Sequence, residues 1–102
     1  MSYMDYKLQI TETHKKDIHK AIQILRGAGC DEIFLFGSLA SRKIGDKSDI
    51  DLAIRGCPRG KFFHLLGILL MELDHQVDLV NLDSQDAFST FLEKEGELIQ
   101  IA

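Results

Sequence analysis

The stretch Asp49-Ile-Asp-Leu-Ala-Ile-Arg55 alternates so regularly that, once extended, Ile50, Leu52 and Ile54 share one face and Asp49, Asp51, Ala53 and Arg55 the other. Successive strand side chains point to opposite sides, so this is a strand with one buried face and one face carrying two carboxylates two residues apart. Two such carboxylates repel. In a dry setting they either rise in pKa or require a cation, and a divalent ion held by oxygen ligands relieves the repulsion directly. A solvated strand edge would explain an isolated Asp-x-Asp, but this pair sits inside an otherwise apolar strand.

The flanking segments supply the rest of the architecture. Ile18, Ala21, Ile22, Leu25 and Ala28 recur at helical spacing, with Thr11 or Thr13 as cap and Gly27 or Gly29 as stop. Residues 31–36 read as a central strand, apolar on both faces in its second half, which Gly37-Ser38 ends abruptly. Residues 39–43 suggest a short helix, and a polar loop leads from there into the strand of Asp49. Pro58 marks a helix start, and Phe62, Phe63, Leu65, Leu66, Leu69, Leu70 and Leu73 make that helix apolar around much of its circumference. Gln76-Val-Asp-Leu-Val80 is a third strand, with Val77 and Leu79 on one face and Asp78 and Val80 on the other. Asp83 or Ser84 is expected to cap a last helix bearing Phe88, Phe91 and Leu92, closed by Gly96 before the apolar tail Leu98-Ile-Gln-Ile101. The order predicts an α/β (α+β) fold: a small mixed β-sheet with helices packed on it, one domain over residues 1–102. The surplus of apolar residues on the helix of Phe62 and on the tail fits either an ordinary core or a surface for a second chain.

Composition narrows the function classes. With 12 Lys and Arg against 16 Asp and Glu, a net charge of −4 argues against a general positive surface for nucleic acid. No apolar run is long enough to span a bilayer, and the N-terminus lacks a secretion signal, so a cytoplasmic protein is expected, with Cys30 and Cys57 as thiols. His14, His19, His64 and His75 show no zinc spacing with either cysteine and read as surface or partly buried. Gly27-Ala28-Gly29 precedes a strand, so it is a helix stop and not a dinucleotide loop. Tyr3 and Tyr6 read as terminal residues packing on the fold.

At Gly37-Ser38, glycine permits close backbone approach to a ligand, and the helix start behind it offers N–H groups to an anion. An anion site beside a carboxylate cation site is what phosphoryl or nucleotidyl transfer requires. Gly37-Ser38, ten residues, then Asp49-Ile-Asp51 reproduce a G-S-x10-D-x-D pattern, and the stretch resembles the DNA polymerase β-like nucleotidyltransferase superfamily. The string Ser48-Asp-Ile-Asp-Leu52, the later Val77-Asp-Leu-Val80 and the closing Glu95-Gly96 look like its minimal nucleotidyltransferase (MNT) family, over Phe34 to Ile99.

The resemblance implies a polymerase β-like fold and magnesium-dependent transfer of AMP from ATP to a hydroxyl, with pyrophosphate released. It implies that Gly37 and Ser38 hold the triphosphate, that Asp49, Asp51 and Asp78 bind two Mg2+ ions, and that Asp78 also orients and activates the incoming hydroxyl. Where many relatives carry arginines at the first and third positions after the serine, this chain has Leu39 and Ser41. Arg42, with Lys43 and Lys47, is then expected to supply positive charge to the nucleotide. The family further implies a HEPN-domain partner protein, often an RNase toxin modified with AMP on a tyrosine, with this chain as antitoxin and a homo- or hetero-oligomer as its working form. Three alternatives remain at this level: a two-component enzyme acting on a small molecule, a non-catalytic binding antitoxin, and an ATP sensor without turnover.

Overall fold

The computed structural model describes residues 11–37 and 49–102. Helix α1 (Glu12–Gly27) leads into β1 (Glu32–Phe36), followed by β2 (Ile50–Arg55), α2 (Phe62–Glu72), β3 (Val77–Asn81), a 3-10 turn (Leu82–Ser84), α3 (Ala87–Glu95) and β4 (Ile99–Gln100). The four strands form one sheet in the order β3-β2-β1-β4. β1 runs antiparallel to both β2 and β4, whereas β2 and β3 are parallel and joined through the crossover helix α2. The expected mixed sheet with packed helices is present. Ser38, Arg42, Lys43, Lys47, the short helix anticipated over 39–43, Tyr3 and Tyr6 lie outside the described residues.

Each sheet face has its own apolar layer. Ile33, Leu35, Ile50, Leu52, Ile54, Val77 and Leu79 meet Ile18, Ala21 and Leu25 of α1 and Leu65 and Leu69 of α2. On the opposite face Phe34, Phe36 and Ala53 pack with Leu82 and Leu92, and Val80 and Leu98 lean against them. Central strands covered on both sides need apolar residues in both registers, which is why β1 reads Ile-Phe-Leu-Phe without alternation.

Two sequence expectations change. Asp83 and Ser84 belong to the 3-10 turn, and Asp86 caps α3, its carboxylate accepting from Ser89 N at 2.8 Å. Asp83 is drawn elsewhere, accepting from Gly56 N at 2.7 Å. The apolar tail, for which a core and a surface for a second chain were both open, forms β4: Ile99 pairs with Leu35, and Ile101 N donates to Ile33 O at 2.8 Å. Cys30 and Cys57, expected as thiols, form a disulfide. The antiparallel register sets Glu32 against Arg55. Two steps outward along the same ladder it brings Cys30 opposite Cys57.

His14 is also more deeply placed than expected, fully buried and stacked on His75 with ring centroids 3.8 Å apart. Thr11, the α1 cap, lies 2.6 Å from His14 Nδ1. Beside this pair Asp17 is 2% exposed, and a single carboxylate oxygen accepts from Asp74 N, His75 N and His75 Nδ1 at 2.7–2.9 Å. Burial pushes the Asp17 carboxyl up, but the hydrogen bonds from His75 and from the Asp74 and His75 backbone outweigh it and hold the group below its ordinary range. Asp17 thus fastens α1 to the turn that aims β3. Among the described residues no helix is long and apolar enough to cross a membrane.

Removing that fastener should be costly. Asp17→Ala strands three donors and is expected to lose on the order of 3 kcal/mol in urea unfolding at neutral pH. Because the folded-state pKa is depressed, this contribution is present above the unfolded value of 3.8 and is lost as pH falls through the lower folded value, so the gap between variant and parent should close in acid.

Candidate active site

The face of the sheet opposite α1 and α2 carries a row of side chains crossing three strands. Phe36 of β1 is in register with Asp51 of β2, and Asp51 is in register with Asp78 of β3. Asp49 lies two residues before Asp51, so it falls on the same face. The next row along, Phe34, Ala53 and Val80, is apolar and buried or half-buried beneath Leu82, Leu92 and Leu98. The sheet therefore places three carboxylates at the open end of an otherwise dry surface.

The electrostatic outcome is carried by Asp51. Burial raises its pKa, the negative charges of Asp78 and Asp49 raise it further, and a hydrogen bond with the Asp78 side chain adds to the shift, bringing it to about 6. Asp49 and Asp78 are exposed and Asp51 is half-buried. Among the described residues no group of three or more His, Cys, Asp or Glu side chains is arranged so that it could hold a metal ion. What the site does have is a set of oxygen donors of like charge, whose chemistry suits a hard divalent cation and suits thiolate- or imidazole-seeking metals poorly.

Gly37 borders the same row. Its φ is +75°, in the left-handed region, and a Cβ built there would overlap Asp51 Oδ2 and lie 3.0 Å from Asp51 Cγ. Any other residue would be strained in backbone and would displace the central carboxylate. Glycine is thus required by the Asp51 side chain itself, a reason beyond the close ligand approach anticipated from sequence.

Helix α3 overhangs the row. Its first turn is pinned by the Asp86 cap and by buried Ser89, whose hydroxyl donates to Asn81 O at 3.0 Å. Further along, Glu93 pairs at 2.6 Å with Arg55, which also pairs with Glu32 and lies over the Phe34 ring. These ties leave Phe88 half-exposed, edge-on to Phe36 with centroids 6.2 Å apart. The sequence placed Phe88 on this helix but gave no sign that it would meet Phe36, the register neighbour of Asp51.

Residues 19–101 match the family described as polymerase beta, nucleotidyltransferase. The chain belongs to that family. Its members are nucleotidyltransferases, and the row of carboxylates stands on the sheet that the match covers. A chain of a toxin–antitoxin crystal structure with AMP-PNP is similar at 27% identity and a TM-score of 0.64, over 82% of this chain and 71% of that one. A chain from the structure of a tri-AMPylated Shewanella oneidensis HEPN toxin in complex with MNT antitoxin is 27% identical, with a TM-score of 0.63 over 86% and 71%. A third, from the toxin–antitoxin MntA-HepT, is 25% identical, with a TM-score of 0.61 over the same shares. A search of curated proteins gave no significant match.

The raised Asp51 pKa has a measurable sign. Between 3.8 and about 6 the folded chain holds a proton that the unfolded chain has released, so stability falls as pH rises through that window. The full shift corresponds to roughly 3 kcal/mol and the half-solvated position to about 1–2 kcal/mol. Asp51→Asn should therefore melt several degrees above the parent at pH 7.5 without divalent ions, with the difference gone by pH 4. Magnesium should raise the melting temperature of the parent and leave the variant unmoved.

Proposed function

We propose that the chain transfers AMP from ATP to a hydroxyl in a magnesium-dependent reaction, and that the acceptor is a tyrosine of a HEPN-domain toxin to which the chain is antitoxin. The observation that carries this reading is the register of Asp51 with Asp78 across parallel strands, with Asp49 on the same face. Membership of the nucleotidyltransferase family supports the reaction class. The partner is supported by the likeness to chains from MNT–HEPN toxin complexes, one of them holding an AMPylated toxin.

In this reading each residue has a separate task. Gly37, with Ser38, holds the triphosphate by close backbone approach, and Arg42 adds positive charge to it. Asp49 and Asp51, joined by Asp78, would hold two Mg2+ ions, which would neutralise charge on the phosphates and on the attacking oxygen. Asp78, at the β3 end of the row, orients the acceptor hydroxyl and takes its proton. The hydroxyl oxygen forms a bond to the α-phosphorus while the bond from that phosphorus to the bridging oxygen breaks, releasing pyrophosphate. A dry sheet face beneath the row strengthens each of these charge interactions. Such chemistry needs no secretion, and a cytoplasmic setting suits an ATP-dependent antitoxin.

The test uses ATP labelled at the α-phosphate, magnesium and the HEPN-domain protein encoded beside this chain. Label should appear on that protein as AMP on tyrosine and be lost by a factor of about 10³ or more with Asp51→Asn or Asp78→Asn. Absence of label with the parent chain, in a folded complex, would turn the reading toward a small-molecule acceptor or toward neutralisation by binding alone.

A further inference from the structure

In-line transfer sets the leaving pyrophosphate and the attacking hydroxyl on opposite sides of the α-phosphorus, and this chain is asymmetric about its carboxylate row. Gly37 stands at the β1 end and Asp78 at the β3 end, with Asp51 between them. If the triphosphate occupies the Gly37 end, the acceptor must approach over β3. A groove of about 310 Å3 opens there, lined by Phe62, Leu79, Val80, Asn81, Asp86 and Phe88 among others. Its volume is at the lower limit of small-ligand sites, enough for one ring-bearing side chain and small for a nucleotide.

Phe88 lines this groove and also meets Phe36, the register neighbour of Asp51 in the carboxylate row. One side of its ring lies edge-on to Phe36, the register neighbour of Asp51, and 51% of the residue remains open. Its backbone is held rigidly by the Asp86 cap and the Ser89 to Asn81 hydrogen bond, so the ring is offered from a fixed position. A half-open aromatic ring with another ring behind it favours an offset or edge-on third ring, and a phenol so seated would carry its hydroxyl out of the apolar groove toward polar neighbours.

We infer that Phe88 seats the acceptor: the tyrosyl ring of the partner polypeptide packs against Phe88 in the groove along β3, which directs the phenol oxygen to Asp78. Phe88 is a positioning residue, and this inference rests on the reaction proposed above. It assigns the β3 side of the row to the acceptor and leaves the β1 side to the nucleotide. The phenol oxygen then bonds to the α-phosphorus, its proton passes to Asp78, and pyrophosphate departs toward Gly37.

The experiment compares the parent chain with Phe88→Ala, Phe88→Leu and Phe88→Tyr, each confirmed folded by its melting curve, using α-labelled ATP and the neighbouring HEPN-domain protein as acceptor. At saturating acceptor, Phe88→Ala should lower kcat about tenfold or more, because the hydroxyl is no longer held in line. Phe88→Leu should stay low, Phe88→Tyr should recover most of the rate, and the affinity for ATP with magnesium, measured by calorimetry, should be unchanged in all three. A kcat for Phe88→Ala that returns to the parent value once the acceptor is saturating would reduce the ring to a docking contact and overturn the inference. Weakened ATP binding with normal acceptor turnover would overturn it too, by assigning the ring to the base. Failure of the parent chain itself to label the acceptor is a different result, which removes the reaction and with it the inference.

Discussion

Holding like charges side by side is unfavourable, and the fold is organised around imposing that arrangement. The parallel pairing of β2 and β3 fixes Asp51 beside Asp78, and the alternation of β2 adds Asp49 to the same face. Neither pairing would hold on its own electrostatics. The opposing force is the apolar layer on the other side of the sheet, where Ile50, Leu52, Ile54, Val77 and Leu79 come from the same two strands as the aspartates. A one-residue slip of either strand would exchange its apolar and acidic faces, so the burial that fixes the register also fixes the site.

The clasp at Asp17 works toward the same end from a distance. It joins α1 to the turn after α2, and that turn delivers the first residue of β3. Ile50 N also donates to Gln76 O at 2.8 Å, which starts the β2–β3 ladder directly after the turn. The placement of Asp78 therefore follows from contacts made before its strand begins. Fixed supports of this kind are what a site needs when its own charges tend to push it apart.

Much of this was legible because it rests on alternation, which a sequence displays directly. The strands of Phe36, Asp51 and Asp78, the helix closing near Gly27 and the shared face of Asp49 and Asp51 all follow from period and punctuation. What escaped depends on which segments pair. The Cys30–Cys57 bridge becomes visible only with the β1–β2 register, and β4 only once β1 is known to lack a neighbour on one side. The cap of α3 was misplaced because Asp83, Ser84 and Asp86 are chemically equivalent as caps, and Gly56 N, distant in sequence, engages the first of them. Burial of His14 depended on a stacking partner some sixty positions away, and the position of Phe88 on the packing of α3 across the sheet.

The pairing of β4 with β1 carries one more consequence. β1 is the strand on which Phe36 and Gly37 ride, and one of its two edges is covered by a two-residue strand that arrives more than sixty residues later. During synthesis, and after any proteolytic cut within residues 97–102, that edge displays unpaired main-chain groups flanked by Ile33, Phe34, Leu35 and Phe36. Such an edge is a template for another strand, whether from a second copy or from an unrelated chain. The last few residues described thus shield that edge of β1 as well as complete the sheet.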